Sequence, residues 1–279
     1  MLKRKTMVAL LLLSAVLSGC VQDTLPKQEQ EQQEELPENN VTEEETVKNA
    51  YRESLAAGKQ VCPDFPEAER LSHLDEQILL DCIGPAVVRV ENQELFGSGV
   101  IWKPEDAALW IVTCRHLLEE ENPDTGQVSR NLQPEIIFWD GIRTFAEGVV
   151  LSETYDLAFL RVDLETMGYY TVERYLGVRW DEDSFENLKP GDDIFLLGSA
   201  DYPAGNLAYG TIGNCSIYME GFDTEMLWAY CEVKPGMSGS GVFDERGNLI
   251  GIVCAGNEQK EAAVLPLNKI LKEWGDRGY

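Results

Sequence analysis

The sequence predicts an all-β domain of barrel or sandwich architecture, with one short helix before it and another that closes it. Short β-rich runs bounded by Gly, Pro, Asn and Asp follow one another along most of the chain. No helical periodicity lies between these runs, which argues against a βαβ fold. The chain has 279 residues, 44% hydrophobic and 9% aromatic, so it has enough apolar material for a large buried core.

The charge balance excludes one class of partner. The chain has 23 Lys and Arg residues against 49 Asp and Glu residues, and its formal net charge is -26. Binding to nucleic acid depends on a basic surface that releases counterions from the phosphates. We therefore expect no nucleic-acid partner.

The first residues are typical of an export signal. Lys3, Arg4 and Lys5 precede an apolar stretch at 7–17, and the stretch ends in Leu17-Ser18-Gly19-Cys20. Small residues directly before a Cys resemble the bacterial lipobox, in which the Cys receives a diacylglycerol and becomes the new N-terminus. We expect residues 1–19 to be a lipoprotein signal peptide and lipidated Cys20 to hold the protein on the outer face of a bacterial membrane. The alternatives are an ordinary signal peptide with an incidental Cys and an uncleaved anchor helix.

Residues 20–60 are predicted to form an acidic disordered tether. The segment 21–50 carries runs of Glu and Gln, two Pro and no aromatic residue. Such a segment cannot bury enough apolar surface to become ordered. The alternative is an acidic tail that binds a partner.

The folded domain is expected to span residues 61–279. Ala68, Leu71, Leu74 and Ile78 recur at helical spacing and predict a short amphipathic helix. The run 267–275 predicts the closing helix. The predicted strands between these helices are 86–90, 99–102, 110–113, 136–139, 148–151, 157–162, 193–197, 209–218, 227–233, 241–243, 249–254 and 262–265.

Beyond Cys20 the chain has an even number of cysteines, namely Cys62, Cys82, Cys114, Cys215, Cys231 and Cys254. In an exported protein this permits disulfides without fixing their pairing. The predicted strands 209–218 and 227–233 flank Glu220-Gly221-Phe222-Asp223, and a hairpin centred near residue 223 would place Cys215 opposite Cys231, at a separation that suits a disulfide. A change of register by one residue turns the two thiols to opposite faces.

Metal and cofactor chemistry are not expected. The chain has no CxxC pair and only 2 His residues, so it lacks the spacing that a zinc site needs. Of the two, His73 lies in the predicted amphipathic helix, where a surface role is expected.

His116 has a different setting. It follows the apolar run 110–113, within Val112-Thr113-Cys114-Arg115-His116, and an imidazole fixed at the end of a rigid strand is well placed as a general base. Asp156 stands at the start of another apolar strand, where its carboxylate can hold the imidazole in one tautomer. Taken alone, Asp156 is as well explained as a turn residue.

A Gly-rich loop supplies the third element. In Lys234-Pro235-Gly236-Met237-Ser238-Gly239-Ser240-Gly241 the glycines around Ser238 permit a tight loop whose backbone N–H groups converge, as an oxyanion hole requires. The alternative for such a loop is a plain turn. The nucleophile elbow G-x-S-x-G does not fit, because Ser240 stands where its last Gly belongs.

Together, His116, Asp156 and Ser238 in this order resemble the trypsin/chymotrypsin class of serine proteases, above all its HtrA/Deg branch, with no PDZ domain expected. The resemblance covers the chain from residue 83 to residue 274. The segments that carry it are Gly84-Pro85-Ala86-Val87-Val88, Gly97-Ser98-Gly99-Val100-Ile101, Lys189-Pro190-Gly191-Asp192-Asp193, Ala208-Tyr209-Gly210-Thr211-Ile212 and Gly251-Ile252-Val253. It implies two antiparallel six-stranded β-barrels, at about 83–180 and 185–265, with the active site in the cleft between them.

The resemblance also implies roles for single residues. Ser238 would be the nucleophile, His116 the general base and Asp156 the residue that orients it, with the backbone N–H groups of Gly236 and Ser238 binding the oxyanion. Two substrate-pocket residues are expected. Glu232 stands where trypsin-like enzymes that prefer basic residues carry a buried acid, unless it faces solvent. Cys254 falls close to the substrate and to Asp156, as inert packing or as a weakly polar neighbour.

The sequence therefore predicts a lipid-anchored, extracytoplasmic serine endopeptidase that hydrolyses protein or peptide substrates through an acyl-enzyme. One alternative is a catalytically silent pseudoprotease that acts as a protein-binding module of the cell envelope. Another is an acidic structural lipoprotein.

Overall fold

The computed structural model describes residues 76–93, 95–105, 107–121, 125–167, 175–199 and 205–276. The predicted signal peptide, Cys20 and the acidic tether lie outside the described residues, as do Cys62, His73 and most of the predicted amphipathic helix. Within the described ranges, no helix has the length and apolar character needed to cross a membrane.

The N-terminal half of the described chain is an antiparallel sheet preceded by helix α1 (Glu76–Ile83) and a 3-10 turn (Gly84–Ala86). Its strands in the described ranges are β1 (Val87–Asn92), β2 (Leu95–Pro104), β3 (Ala108–Thr113), β4 (Glu119–Glu121), β5 (Val128–Arg130), β6 (Glu135–Ile137), β7 (Arg143–Phe145), β8 (Gly148–Leu151) and β9 (Ala158–Asp163). Seven of them form one sheet in the order β7-β6-β1-β2-β3-β9-β8, and β4 and β5 pair as a separate hairpin.

The two edges of this sheet are consecutive in the chain. β7 pairs with β6 at one edge and β8 pairs with β9 at the other, and only Ala146 and Glu147 separate them. The chain bends at Glu147, directly after Ala146, which is fully buried in the sheet's core. One bent strand therefore joins both edges, which is why seven strands are found where the prediction has six.

The C-terminal half is a closed barrel. It contains α2 (Glu182–Glu186), β10 (Asp193–Gly198), β11 (Asn206–Met219), β12 (Thr224–Cys231), β13 (Gly241–Asp244), β14 (Leu249–Gly256), β15 (Glu261–Pro266) and the closing helix α3 (Leu267–Asp276). The six strands close in the order β10-β11-β12-β15-β14-β13. The all-β prediction with a closing helix is confirmed.

The predicted disulfide is wrong. Cys231 pairs with Gly210, not with Cys215, because the β11–β12 turn is tighter than predicted and two register shifts interrupt the ladder. The turn consists of a short 3-10 segment, Glu220–Phe222, followed by Asp223 in the left-handed conformation. Both thiols are free, and Cys215 Sγ contacts the carbonyl of Leu188 at 3.3 Å.

Three apolar clusters form the core. One fills the N-terminal sheet and one fills the C-terminal barrel. The third lies between them and contains residues of both halves, among them Trp102, Trp110, Phe195, Phe243 and Trp274. This shared core fixes the two halves against each other, so that loops from both meet at one place.

Candidate active site

The residue expected to act as general base lies just after a fully buried strand. All six residues of β3 are buried, and the 3-10 turn Arg115–Leu117 follows Cys114. Leu117 holds this turn against β2, because a Cβ on Gly97 would come within 2.3 Å of Leu117 Cδ1. The neighbouring His116 ring is left exposed at the surface, with 45% of its side chain accessible.

His116 and Asp156 are directly hydrogen bonded. His116 Nδ1 lies 2.7 Å from Asp156 Oδ2, and the backbone N–H of His116 donates to Asp156 Oδ1 at 2.9 Å. Two bonds between the same residues fix the ring plane as well as its position. If Nδ1 carries the proton, Nε2 is left as the base.

The loop that carries Asp156 is tied to the histidine turn. Arg115 Nη1 donates to the carbonyl of Ser152 at 2.8 Å, and the Ser152 hydroxyl accepts the backbone N–H groups of Thr154 and Tyr155. The loop therefore approaches Asp156 as an ordered turn that is fastened to the residue next to His116.

Opposing effects set the pKa of Asp156. Burial raises the pKa of its carboxyl, but the hydrogen bonds from the His116 side chain and backbone and the positive charges of His116 and Arg115 lower it. The net pKa lies below the ordinary value for Asp. Asp156 is therefore ionised at neutral pH and able to stabilise an imidazolium.

The serine loop consists of two successive four-residue turns. Met237 N–H donates to Lys234 O at 3.1 Å, and Ser240 N–H donates to Met237 O at 2.9 Å. The third residues of these turns, Gly236 and Gly239, have φ values of 89° and 81°, the pattern of type II turns. Ser238 is the second residue of the second turn.

Gly239 brings this loop into contact with the N-terminal sheet. A Cβ at this position would lie 1.9 Å from Ser98 O and 2.6 Å from Thr113 Oγ1. Only glycine fits, both for space and for its positive φ.

Ser98, at the centre of β2, links the two halves and was not predicted as a site residue. Its backbone N–H donates to Ser238 O at 2.7 Å, and its hydroxyl donates to Gly236 O at 3.0 Å. The hydroxyl also accepts Ser199 N–H at 2.9 Å. Ser98 is fully buried, and the available sequence signal was a serine placed between two glycines in an apolar strand.

The segments that carry the three predicted residues lie close together. Ser238 and Leu117, the residue after His116, meet at Gly97, where a Cβ would lie 2.9 Å from Ser238 O. Among the described residues, the Ser238 hydroxyl makes no hydrogen bond to His116, and no acceptor takes the N–H groups of Gly236 and Ser238. Catalytic hydrogen bonds in unliganded enzymes often form only in the substrate complex.

Two thiols lie behind the His116–Asp156 pair. Cys114 Sγ is 3.1 Å from Val253 O and 3.8 Å from Cys254 Sγ. Cys254 Sγ in turn lies 3.8 Å from the backbone oxygen of Asp156. Cys254 is buried, with 5% accessible, so it packs behind Asp156.

One group of possible metal ligands overlaps this site. The donor atoms of Cys114, His116 and Asp156 lie within 4.8 Å of one another. The arrangement does not favour a metal, since His116 Nδ1 and Asp156 Oδ2 are hydrogen bonded to each other. Burial, followed by the hydrogen bond and charge of Cys254, also raises the pKa of the Cys114 thiol well above its ordinary value, whereas a metal ligand must be a thiolate.

The prediction that Glu232 is a buried acid of the substrate pocket is wrong. Glu232 is exposed and forms a surface ion pair with Lys260 Nζ at 2.9 Å, and its pKa is lowered by the hydrogen bond to Lys260. It lies just beyond the end of β12, and the adjacent Val233 turns inward instead. A Cβ on Gly256 would lie 2.4 Å from Val233 Cβ.

Comparison with known proteins identifies the family. The trypsin-like peptidase domain matches residues 97–252, more than half of the chain. The chain belongs to the trypsin-like peptidase family. The protein is thus a serine endopeptidase of the trypsin-like class, and His116, Asp156 and Ser238 all fall within the matched residues.

Solved structures confirm the chymotrypsin-like double-barrel fold of this protease. The Rv3671c protein of M. tuberculosis, crystallised as an inactive mutant, has a TM-score of 0.55 at 17% identity, covering 76% of this chain and 95% of that one. The HtrA-type protease AlgW, solved with a tripeptide, has a TM-score of 0.55 at 21% identity. That alignment covers 70% of this chain and 61% of AlgW. No curated protein sequence matches the chain.

Proposed function

We propose that the protein is a lipid-anchored serine endopeptidase that cleaves protein or peptide substrates with Ser238 as nucleophile, His116 as general base and Asp156 as its orienting carboxylate. The observation that carries this proposal is the double hydrogen bond between His116 and Asp156, at 2.7 and 2.9 Å. Support for Ser238 comes from Gly97, against which both Ser238 O and the side chain of Leu117, the residue after His116, lie. A binding module has no need of an ionised, partly buried carboxylate aimed at an exposed imidazole.

In the first half of the reaction, His116 Nε2 removes the proton of the Ser238 hydroxyl as its oxygen attacks the scissile carbonyl carbon. Asp156 holds the proton on Nδ1 and stabilises the imidazolium that forms. The N–H groups of Gly236 and Ser238 stabilise the oxyanion. His116 then donates its proton to the leaving amine, and an acyl-enzyme on Ser238 remains.

In the second half, water replaces the amine. His116 accepts a proton from the water as its oxygen attacks the acyl carbon, and then returns a proton to Ser238 Oγ as the acid product leaves. Each proton removed by His116 is given back, so the enzyme is regenerated without a cofactor.

A fluorophosphonate serine probe tests the assignment. We expect the wild-type chain to be labelled, and Ser238→Ala to be folded and unlabelled. His116→Ala should lose turnover nearly as far as Ser238→Ala, because the residues act as a unit. A folded wild type that neither reacts with the probe nor cleaves casein or a peptide library at pH 8 would instead identify a pseudoprotease.

The membrane anchor is a proposal from the sequence. Lys3, Arg4, Lys5, the apolar stretch and Leu17-Ser18-Gly19-Cys20 support lipidation of Cys20 and a place on the outer face of a bacterial membrane. Detergent-phase partitioning of the expressed protein and of Cys20→Ala tests it. Equal processing and equal membrane binding of the two would refute lipidation.

A further inference from the structure

Two buried thiols from opposite halves of the protease meet beside the His116–Asp156 pair. Cys114 follows β3 of the N-terminal sheet and Cys254 lies on β14 of the C-terminal barrel, with their sulfur atoms 3.8 Å apart. Both side chains are buried, Cys114 fully and Cys254 with 5% accessible. The reaction proposed above uses neither thiol.

The Cys114 thiol is already directed at the backbone next to Cys254. Cys114 Sγ lies 3.1 Å from the carbonyl of Val253, the residue directly before Cys254. A disulfide needs a sulfur separation of about 2.05 Å. The two sulfurs must therefore approach by about 1.8 Å, the difference between their present separation of 3.8 Å and the length of a disulfide bond.

We propose that Cys114 and Cys254 are a redox-sensitive pair that closes to a disulfide under a peroxide oxidant and thereby lowers the activity of the protease. The predicted effect on catalysis rests on the proposed function. The formation of the Cys114–Cys254 disulfide does not depend on it.

The oxidation balances with one peroxide. The Cys254 sulfur, the more accessible of the two, attacks one oxygen of hydrogen peroxide; an S–O bond forms, the O–O bond breaks and the first water leaves with the thiol proton. The Cys114 sulfur then attacks the sulfenic sulfur; the S–S bond forms, the S–O bond breaks and a second water leaves. Two thiols are oxidised by two electrons and one peroxide is reduced to two waters.

Closure of the pair disturbs the residues in front of it. Cys114 lies two residues before His116, and Cys254 Sγ lies 3.8 Å from the backbone oxygen of Asp156. Drawing the sulfurs together shifts both chain segments, and it removes the thiol proton that Cys114 directs at Val253 O. A misplacement of 1 Å in a catalytic group can cost about 10²-fold in rate, so we expect oxidation to slow the reaction of Ser238 by about 10- to 100-fold.

The experiment uses the full reduced chain, treated with hydrogen peroxide and then with iodoacetamide to block free thiols. Peptide mass mapping should find a Cys114–Cys254 linked peptide that disappears after dithiothreitol. In parallel, the rate of fluorophosphonate labelling should fall on oxidation and recover with dithiothreitol. Oxidation of Met237, which is buried beside Ser238, is not reversed by dithiothreitol and is thereby distinguished.

Two variants test whether the response depends on the Cys114–Cys254 pair. Cys254→Ser should neither form the linked peptide nor show a dithiothreitol-reversible change in labelling. Cys215→Ser removes a thiol outside the pair and should keep the full response. The chain has 2 His residues, so proton NMR can also follow His116 directly, and its ring resonances should shift on oxidation.

Absence of the linked peptide after peroxide overturns the inference, and so does a linked peptide with unchanged labelling in a protein that the probe labels when reduced. If the reduced protein is never labelled, the proposed function fails. In that case the linked peptide and the His116 shift decide the inference by themselves.

Discussion

Ser98 on β2 and Ser240 at the end of the loop 234–240 are fully buried serines, and only one of their hydroxyls is hydrogen bonded. The Ser98 hydroxyl bonds to both Gly236 O and Ser199 N–H. Within the described residues, the Ser240 hydroxyl has no hydrogen-bond partner and packs against Gly198. The two serines therefore form a natural matched pair.

Replacing Ser98 or Ser240 by Ala removes the same hydroxyl oxygen, but the effects on the free energy of unfolding should differ. Ser98→Ala leaves the partly buried carbonyl of Gly236 and the buried N–H of Ser199 without this partner and should lower the free energy of unfolding by about 1–3 kcal/mol. Ser240→Ala removes an unpaired buried hydroxyl and should be neutral or stabilising. Urea unfolding measures both, and equal destabilisation would contradict the hydrogen-bond assignment.

The environment of Asp156 also leads to a testable prediction. Asp156→Asn keeps the shape of the side chain but removes the charge that stabilises imidazolium and selects the tautomer. We expect turnover to fall by about 10³- to 10⁴-fold. Steady-state kinetics on a cleaved peptide measure this, with folding checked by circular dichroism; a loss under tenfold would argue against the assigned role.

The lowered pKa of Asp156 also makes stability depend on pH. Since its folded pKa lies below the unfolded value of about 3.9, ionised Asp156 stabilises the fold above about pH 4, and this contribution is lost as the pH falls through the folded pKa. The excess unfolding free energy of wild type over Asp156→Asn should therefore be present at pH 7 and shrink below about pH 4. An excess that stays constant between pH 7 and pH 3 in urea titrations would refute this.

At the scale of elements, the loop 234–240 shows how local turn chemistry positions Ser238, the proposed nucleophile. Its two type II turns fix the direction of Ser238, and the second turn presses Gly239 against β2. The conformation of the loop is therefore fixed by positions that only glycine can occupy, and not by the packing of large side chains.

Gly239→Ala should disrupt this contact. Its Cβ would fall 1.9 Å from Ser98 O at a residue whose φ is 81°, so we expect loss of probe labelling and a clear loss of stability. Gly221→Ala is the matched control, since a Cβ there meets nothing within 4 Å and should change stability by less than about 0.5 kcal/mol. Normal labelling of Gly239→Ala would contradict the packing argument.

Other elements were missed for a common reason. β4, β5 and β7 are three residues each, and the residues of β5 are exposed, so no alternating apolar pattern marks them. α2 is five residues long, and its signal was a cap: the Asp181 side chain accepts Ser184 N–H at the start of the helix, where two acids follow.

At the scale of the whole molecule, the closing helix joins the end of the chain to the N-terminal sheet. Trp274 of α3 packs edge-on to Trp110 with ring centroids 5.3 Å apart, and lies 5.1 Å from Phe159. Trp102 stacks on Trp180 at 4.2 Å in the same region. These aromatic contacts belong to the core that both halves share.

Trp274→Ala should open a cavity in that shared core and cost about 3–5 kcal/mol of unfolding free energy. Lys272→Ala, an exposed position on the same helix, should change it by less than about 0.5 kcal/mol. Denaturant unfolding followed by circular dichroism compares them. Equal stability of the two variants would show that α3 does not fasten the halves together.

The sequence alone determined the strands that have apolar runs, the closing helix and the candidates His116, Asp156 and Ser238. These features are local or rest on residue type: alternation reports which faces are buried, and few residue types can activate a serine. A hydrogen bond between His116 and Asp156 could be predicted from the sequence. Its length of 2.7 Å comes from the structure.

Tertiary structure alone decided the rest. The register of β11 against β12 is set by the turn that closes at Met219 and Thr224 and by two shifts in the ladder, and together these keep Cys231 away from Cys215. The exposure of Glu232, the bridging role of Ser98 and the meeting of Cys114 with Cys254 depend on how the two halves dock. A contact between residues more than a hundred positions apart leaves no periodicity in the sequence, because it is set by the packing of whole elements and not by the preferences of neighbouring residues.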